Sequence, residues 1–239
     1  MGIRTLDEMD SVDWSNLEDV SEAGEELLSR LDRDRIWLGS LVDHAIRSPD
    51  LFAMCEHYDI LDKIILHEGS SGWRLRLHVF GPGYFDRPHN HRWTYSSRII
   101  HGRYRHTLYG TDEQLEDEAF SVATLKPVAV RTEREGDTYT LHHSMIHSVT
   151  AAPFTTSVVV RGPAESERFL VMDRPSGAAW WQFGAARESK EEASLKRMSV
   201  DRATECLRTL QRLRVVEDGS RSRTKALARL DRSEPQRRH

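Results

Sequence analysis

Residues 83–102, GYFDRPHNHRWTYSSRIIHG, decide how the rest of this 239-residue chain is interpreted. His89 and His91 stand two apart in a run rich in Trp, Thr, Tyr and Ile, which favours a β-strand. Alternate side chains of a strand point to the same face, so the two imidazoles can project side by side. Neutral imidazole is a common ligand for Fe, Zn, Cu and Ni. The stretch therefore predicts a metal site that needs a third ligand.

A second glycine-anchored stretch, residues 136–147 (GDTYTLHHSMIH), supplies candidates for that ligand. Three histidines compete for the position: His142, His143 and His147. Eight of the twelve histidines fall between residues 78 and 147, a clustering that favours a site over random usage.

The first stretch resembles the leading motif of the cupin superfamily of jelly-roll β-barrels, G-x5-H-x-H-x3,4-E-x6-G. Gly83, His89, His91 and Gly102 fall on its spacing. Tyr95 stands at the position of the glutamate, which is a departure from the family pattern.

The second stretch resembles the other cupin motif, G-x5-P-x-G-x2-H-x3-N, in a degenerate form. Gly136 and His147 fit, whereas His142, Ser144 and Ala151 replace its proline, glycine and asparagine. This alignment selects His147 as the third ligand. The resemblance covers about residues 70–175.

The resemblance implies an all-β core, a cupin jelly-roll β-barrel, with flanking N- and C-terminal α-helices. We expect an acidic arm and helices packed on the barrel in residues 1–69, with residues 1–15 as a mobile segment. The barrel and its metal site occupy residues 70–175. A helical extension with a basic, partly disordered tail follows in residues 176–239.

The local patterns agree with that division. Residues 34–47 and 188–214 carry apolar side chains near helical spacing, which predicts helices. Residues 72–80, GWRLRLHVF, alternate apolar and polar side chains, which predicts a strand with one polar-lined face. Short segments between residues 104 and 172, including 120–125, are expected to form the remaining strands.

A set of three histidines without a carboxylate resembles the three-histidine cupins, which include the thiol dioxygenases. The resemblance implies a site of His89, His91 and His147 that holds one divalent metal, with Fe(II) as the first choice and zinc, nickel and manganese as alternatives. The implied activity is an Fe(II)- and O2-dependent oxygenase or dioxygenase acting on a small polar metabolite. Two alternatives stay open. One is a zinc-dependent isomerase, lyase or nitrogen–nitrogen bond-forming enzyme, and the other is a non-catalytic ligand-binding cupin.

Further residues are candidates for roles around the metal. Tyr95 shares the strand parity of the first two histidines and is a candidate proton donor, and His142 is a second candidate catalytic group. An arginine inside a barrel can pair with a carboxylate through two hydrogen bonds. The candidate substrate-binding residues are Arg98, Tyr104, His106 and Arg161.

Composition narrows the range of partners. The net charge of -4 gives no support to nucleic acid or an anionic membrane, so a small-molecule substrate is the expected partner. No long apolar run or secretion signal is visible, which predicts a cytoplasmic protein. Cys55 and Cys206 are far apart and predict no disulfide framework. An aromatic patch of Trp180, Trp181 and Phe183 is a candidate homodimer interface.

Overall fold

A computed structural model describes residues 5–116, 121–184 and 187–218. In these ranges the helices are α1 (Leu17–Arg33), α2 (Arg35–Arg47), α3 (Pro49–Ala53), α4 (Lys190–Leu195) and α5 (Val200–Arg212). The strands are β1 (Glu56–Tyr58), β2 (Leu61–Glu68), β3 (Arg74–Phe80), β4 (Tyr95–His101), β5 (Arg103–Thr111), β6 (Ala129–Arg134), β7 (Thr138–Leu141), β8 (Met145–Ala151), β9 (Thr156–Arg161), β10 (Arg168–Asp173) and β11 (Ala178–Phe183).

Two antiparallel sheets face each other. One has the strand order β1-β2-β3-β9-β4-β7, the other has the order β6-β5-β8, and β10 and β11 form a separate pair. Tyr95, Ile99 and Val159 of the first sheet pack with Tyr104 and Val149 of the second in one buried cluster. The predicted all-β core with flanking helices is confirmed, in the two-sheet arrangement of a jelly roll.

The six-stranded sheet is buried on both faces, and β3 illustrates the division. Leu75 and Leu77 are fully buried among side chains of the N-terminal helices. Arg76 and His78, which alternate with them, point to the other face and line a cavity between the sheets. The polar face predicted for this strand is therefore the wall of a cavity.

Helix α1 lies closely against β4. The side chain of Asn16 caps the helix by accepting hydrogen bonds from the Glu18 and Asp19 amides. The hydroxyl of Ser96 on β4 donates to the carbonyl of Val20 (3.1 Å). A Cβ at Gly24 would overlap the Ser96 hydroxyl, so only glycine permits this approach.

Residues 5–15 of the expected mobile arm are instead packed against the core, and its residues 1–4 lie outside the described residues. Asp7–Ser11 forms a 3-10 turn, and Met9 and Trp14 are buried. The carboxylate of Asp10 accepts a hydrogen bond from the indole of Trp73 (3.0 Å). This segment shows no periodic pattern in the sequence, because isolated apolar side chains and not a regular apolar face attach it to the core.

Other boundaries differ from the sequence-based expectations. The helix expected over 188–214 is divided into α4 and α5, because Met198 is buried between them and Ser199 caps α5. The strand expected at 120–125 is a 3-10 turn over Val122–Thr124, and residue 120 lies outside the described ranges. Sheet structure also extends beyond residues 70–175, since β2 pairs with β3 and β11 with β10.

The cysteines, the helices and the C-terminal tail were also the subject of expectations from composition. Cys55 and Cys206 are buried free thiols. Within the described ranges, every helix is too short or too polar to cross a bilayer. The basic tail expected at the C-terminal end falls on residues 219–239, which lie outside the described residues.

Candidate metal centre and cavity

His89, His91 and His147 converge at one point between the sheets. His147 lies on β8, as predicted from its motif. His89 and His91 lie in an irregular segment just before β4 and not on a regular strand, which corrects the expectation for them. Backbone hydrogen bonds fix this segment, because His89 and His147 exchange N–H···O bonds of 2.9 and 2.8 Å and the amide of His91 donates to the carbonyl of His143 (3.1 Å).

The geometry of the three imidazoles fits a single ion. One ring nitrogen of each histidine lies within 4.8 Å of the others. Nε2 of His91 is 2.8 Å from Nε2 of His147. Two nitrogens bound to one ion at about 2.1 Å stand about 3.0 Å apart at a right-angled coordination, close to this separation. Two unprotonated nitrogens at such a distance repel each other unless a cation or a proton lies between them.

A buried chain of hydrogen bonds sets the tautomer of His147. Oε1 of Glu133 lies 3.2 Å from Nδ1 of His106, and Nε2 of His106 lies 2.9 Å from Nδ1 of His147. The carboxylate can only accept, so His106 presents an unprotonated Nε2 and His147 donates to it from Nδ1. Nε2 of His147 is then left unprotonated towards the other two histidines. Carboxylate–histidine pairs of this kind orient metal ligands in many proteins.

The other two histidines are also prepared as ligands. Nδ1 of His89 lies 2.8 Å from the carbonyl oxygen of Arg87 and donates to it, which leaves Nε2 of His89 free. Burial, and then the neighbouring histidines, lowers the pKa of His91 and of His147 well below the ordinary value. The imidazoles of His91 and His147 are therefore neutral at pH 7, and the neutral form is the one that binds metal.

Tyr95 lies where a substrate could meet it. Its hydroxyl is 3.3 Å from Nε2 of His147, and its ring is edge-on to that of His91. Burial, and then Tyr139, raises the pKa of Tyr95 well above the ordinary value, so the phenol keeps its proton. The hydroxyl of Tyr104, also on the cavity wall, donates to that of Tyr139 (2.6 Å).

The three histidines open into a cavity of about 660 Å³. Its wall comes from both sheets, from β11 and from α4. Trp93 stacks on His91 with a ring separation of 6.0 Å. Beside Trp93 stand two arginines, with the guanidinium carbons of Arg76 and Arg161 at 5.0 and 4.8 Å from the indole centroid.

Three predicted site residues occupy positions other than those expected. Arg98 lies on the face of β4 that meets α1, where it forms ion pairs with Glu25 (3.1 Å) and Asp32 (2.9 Å). That position is outside the cavity, so it does not fit substrate binding. His106 stands behind His147 and reaches no substrate, and Nδ1 of His142 lies 2.9 Å from Ser144 Oγ, away from the cavity lining. Tyr95, Tyr104 and Arg161 line the cavity, and their catalytic or substrate-binding roles stay predictions.

Three further residues of the site were missed. Glu133, which lies behind His106, left no signal in the sequence because only the pairing of β5 with β6 brings the two residues together. Arg76 was part of the polar alternation predicted for β3, but no motif residue next to it in the sequence indicated a role in the site. Asp86 is a carboxylate on the cavity wall that accepts from the hydroxyl of Tyr84 (3.1 Å), and burial raises its pKa.

The aromatic patch on β11 has its own surroundings. Trp180, Trp181 and Phe183 are each more than a third exposed. Arg168 stacks on Trp181 at 4.1 Å, and Arg187 on Phe183 at 4.6 Å. Trp181 and Phe183 also line the cavity, so the predicted dimer interface remains a prediction for a surface that borders the site.

Comparison with known proteins gives the fold a context. No protein-family model matches the chain, and no curated protein matches it. Solved structures that it resembles include KdgF from Halomonas sp. (16% identity, 44% of this chain and 82% of that chain, TM-score 0.34). A second is an RmlC-like cupin from Shewanella frigidimarina (14% identity, 47% of this chain and 85% of that chain, TM-score 0.36). A third is the DMSP lyase DddQ from Ruegeria pomeroyi (14% identity, 50% of this chain and 55% of that chain, TM-score 0.36).

These similarities are too weak to carry an argument about activity or ligands. Several of these similar structures are described as cupins. The chain itself has two facing sheets and three convergent histidines. Together they define a two-sheet antiparallel jelly-roll fold that carries a group able to bind one metal ion.

Proposed function

We propose that this protein is a metal-dependent enzyme that acts on a small polar metabolite, with one divalent ion bound by His89, His91 and His147. The observation that carries the proposal is the convergence of three ring nitrogens, within 4.8 Å of one another, on the wall of a cavity of about 660 Å³. Structural metal sites usually close with a fourth protein ligand, whereas three ligands beside a cavity leave room for substrate.

The reaction we favour is oxidation of the substrate by O2 with Fe(II). Three neutral imidazoles leave the charge of a divalent ion uncompensated and several coordination positions open. Such an ion would supply Lewis acidity, and Fe(II) would add reactivity towards O2. Tyr95 would donate a hydrogen bond from its phenol to the part of the substrate nearest the histidines.

A zinc-dependent reaction without a redox step is the second candidate. The phenol of Tyr95, 3.3 Å from the ligand nitrogen of His147, favours it because a proton donor at that position suits a lyase or an isomerase. A soluble, cytoplasmic location and a non-catalytic binding role remain predictions from the sequence.

The two candidates differ in their use of oxygen. Protein freed of metal is supplied anaerobically with Fe(II) or Zn(II), given a panel of small carboxylic acids, and then assayed with and without added O2. We expect O2 consumption and a product with added oxygen only in the Fe(II) sample, and no consumption in a matched Fe(II) sample of His91→Ala. Turnover at the same rate with Zn(II) and without O2 would replace the oxygenase by the second candidate. Saturable binding without any product under either metal would leave a binding protein.

A further inference from the structure

Two arginines on the cavity wall lie next to each other on neighbouring strands. Strands β3 and β9 are antiparallel, with Arg74 opposite Arg161 and Arg76 opposite Val159. Arg76 and Arg161 are thus diagonal neighbours on the face that lines the cavity, and both guanidinium groups stand within 5.0 Å of the Trp93 ring centroid.

Neither guanidinium group has an acidic partner among residues 5–116, 121–184 and 187–218. The nearby carboxylates are already engaged, since Glu56 pairs with Lys63 (3.6 Å) and Lys196 (2.9 Å), and Glu68 pairs with Arg74. Buried charges in proteins are normally paired. Two adjacent cations without a counter-ion are therefore an arrangement that a bound anion would complete.

Unused polar atoms mark the same face of the sheet. The Nε atoms of Arg76 and Arg161 and Nε2 of His78 are buried without a hydrogen-bond partner. Burial, and then the charge of Arg76, lowers the pKa of Arg161 to about 8. Burial likewise lowers the pKa of Arg76 to about 10. An anion beside the pair would favour the charged form of both side chains.

We propose that Arg76 and Arg161 bind a carboxylate group of the substrate, while the rest of the substrate passes Trp93 towards the three histidines. The anion site stands on its own observations, and its role as a substrate anchor rests on the proposed function. Nη1 of Arg161 already donates to the carbonyls of Gly72 (2.8 Å) and Gly162 (2.6 Å). One edge of that guanidinium group is left, and a single edge matches the two oxygens of a planar carboxylate.

Trp93 helps to hold the two cations in place. A cation over an indole face is attracted by the ring, and here Arg76 and Arg161 lie nearer to the ring centroid than Arg92, which is at 6.0 Å. The same ring stacks on His91. A substrate with its carboxylate at the arginines would therefore have its other end directed along the indole to the candidate metal centre.

Metal-free protein tests the anion site separately from the metal. Calorimetric titration with glutarate is compared with titration by the neutral isostere glutaramide and by inorganic phosphate. The variants are Arg76→Gln and Arg161→Gln, and the matched control is Arg105→Gln, which replaces an exposed arginine on β5. We expect glutarate to bind, glutaramide not to bind, and each cavity variant to bind glutarate about 30-fold more weakly or worse. The control variant should match the wild type.

Several results would overturn the inference. Equal binding of glutarate by the wild type and by folded Arg76→Gln would do so, as would equal binding of glutaramide. Tighter binding of phosphate than of glutarate would replace the carboxylate by another anion class. Glutarate binding that appears only after metal is added, and that ignores both arginines, would contradict the anion site and leave the metal proposal intact. Arginine-dependent binding in a protein that takes up no metal would instead contradict the proposed function alone.

Discussion

Removing the negative charge of Glu133 should weaken metal binding without touching a ligand. Glu133 lies two hydrogen bonds from the ligand nitrogen, through His106 (3.2 Å) and His147 (2.9 Å). Burial raises the pKa of Glu133, but the hydrogen bond from His106 and the charge of Arg131 outweigh this effect and keep that pKa below the ordinary value. The carboxylate is therefore ionised at neutral pH and makes His147 a better donor to the metal.

The size of the effect follows from the length of the chain. Changes in residues that hydrogen-bond a metal ligand typically cost 10- to 100-fold in affinity. Glu133→Gln keeps a hydrogen-bond acceptor for His106 and removes only the charge, so we expect the metal affinity to fall about tenfold, or by about 1.4 kcal/mol. His106→Leu removes the hydrogen-bond acceptor of His147 Nδ1, so His147 can also adopt the tautomer with its proton on Nε2, which does not bind metal. We therefore expect the metal affinity to fall about 100-fold.

Competition of Zn²⁺ between the protein and a chelating indicator measures both variants. Glu135→Gln is the matched control, because its carboxylate lies just beyond the end of β6 and is largely exposed. Thermal unfolding of each metal-free variant shows whether the fold is retained. Wild-type affinity in both Glu133→Gln and His106→Leu would refute the reasoning, and so would a larger loss in Glu133→Gln than in His106→Leu.

Three further predictions concern stability. Gly24→Ala should destabilise the fold by about 1–3 kcal/mol in urea unfolding, since its methyl group would overlap the Ser96 hydroxyl; wild-type stability would show that α1 can shift. Arg202→Met should cost about 3 kcal/mol because it leaves the carboxylate of Asp62, which is 1% exposed, without the guanidinium group that binds both of its oxygens; a loss below 1 kcal/mol would contradict this. Burial and nearby cations lower the pKa of His78 in the folded protein well below the ordinary 6.5. As the pH falls, His78 is therefore protonated in the unfolded chain before it is protonated in the folded protein, and the free energy of unfolding decreases below about pH 6.5. Wild-type protein should lose about 1.4 kcal/mol more than His78→Gln for each pH unit below that value, and parallel pH profiles would exclude the effect.

The residues that could be predicted from the sequence are those whose spacing carries the information. His89, His91 and His147 were identified by two glycine-anchored motifs, and the polar face of β3 by strict alternation. Tyr95 was placed correctly near the histidines because its offset of four from His91 was kept, even though His91 itself is not on a strand.

The rest depends on contacts between distant segments, which spacing does not encode. Arg98 has the opposite parity on β4 to Tyr95, and only the packing of α1 on that face shows that it points away from the cavity. His106 was recognised as a site residue, but its place behind His147 needs the pairing of β5 with β8. The burial of Met9 and Trp14 likewise depends on one hydrogen bond from Trp73 to Asp10 and on apolar contacts that no local pattern records.

Metal content is the most direct test of the central claim that three imidazoles hold one divalent ion. Elemental analysis is applied to the wild type, to His91→Ala and to His147→Ala after titration with Fe(II) or Zn(II) and removal of unbound metal. His143→Ala serves as the control, because His142, His143 and Glu165 form a second, more exposed group of potential ligands. We predict one ion per chain in the wild type and in His143→Ala, and a loss of bound metal in the other two variants. Full metal content in His91→Ala and His147→Ala, or its loss in His143→Ala, would contradict the account.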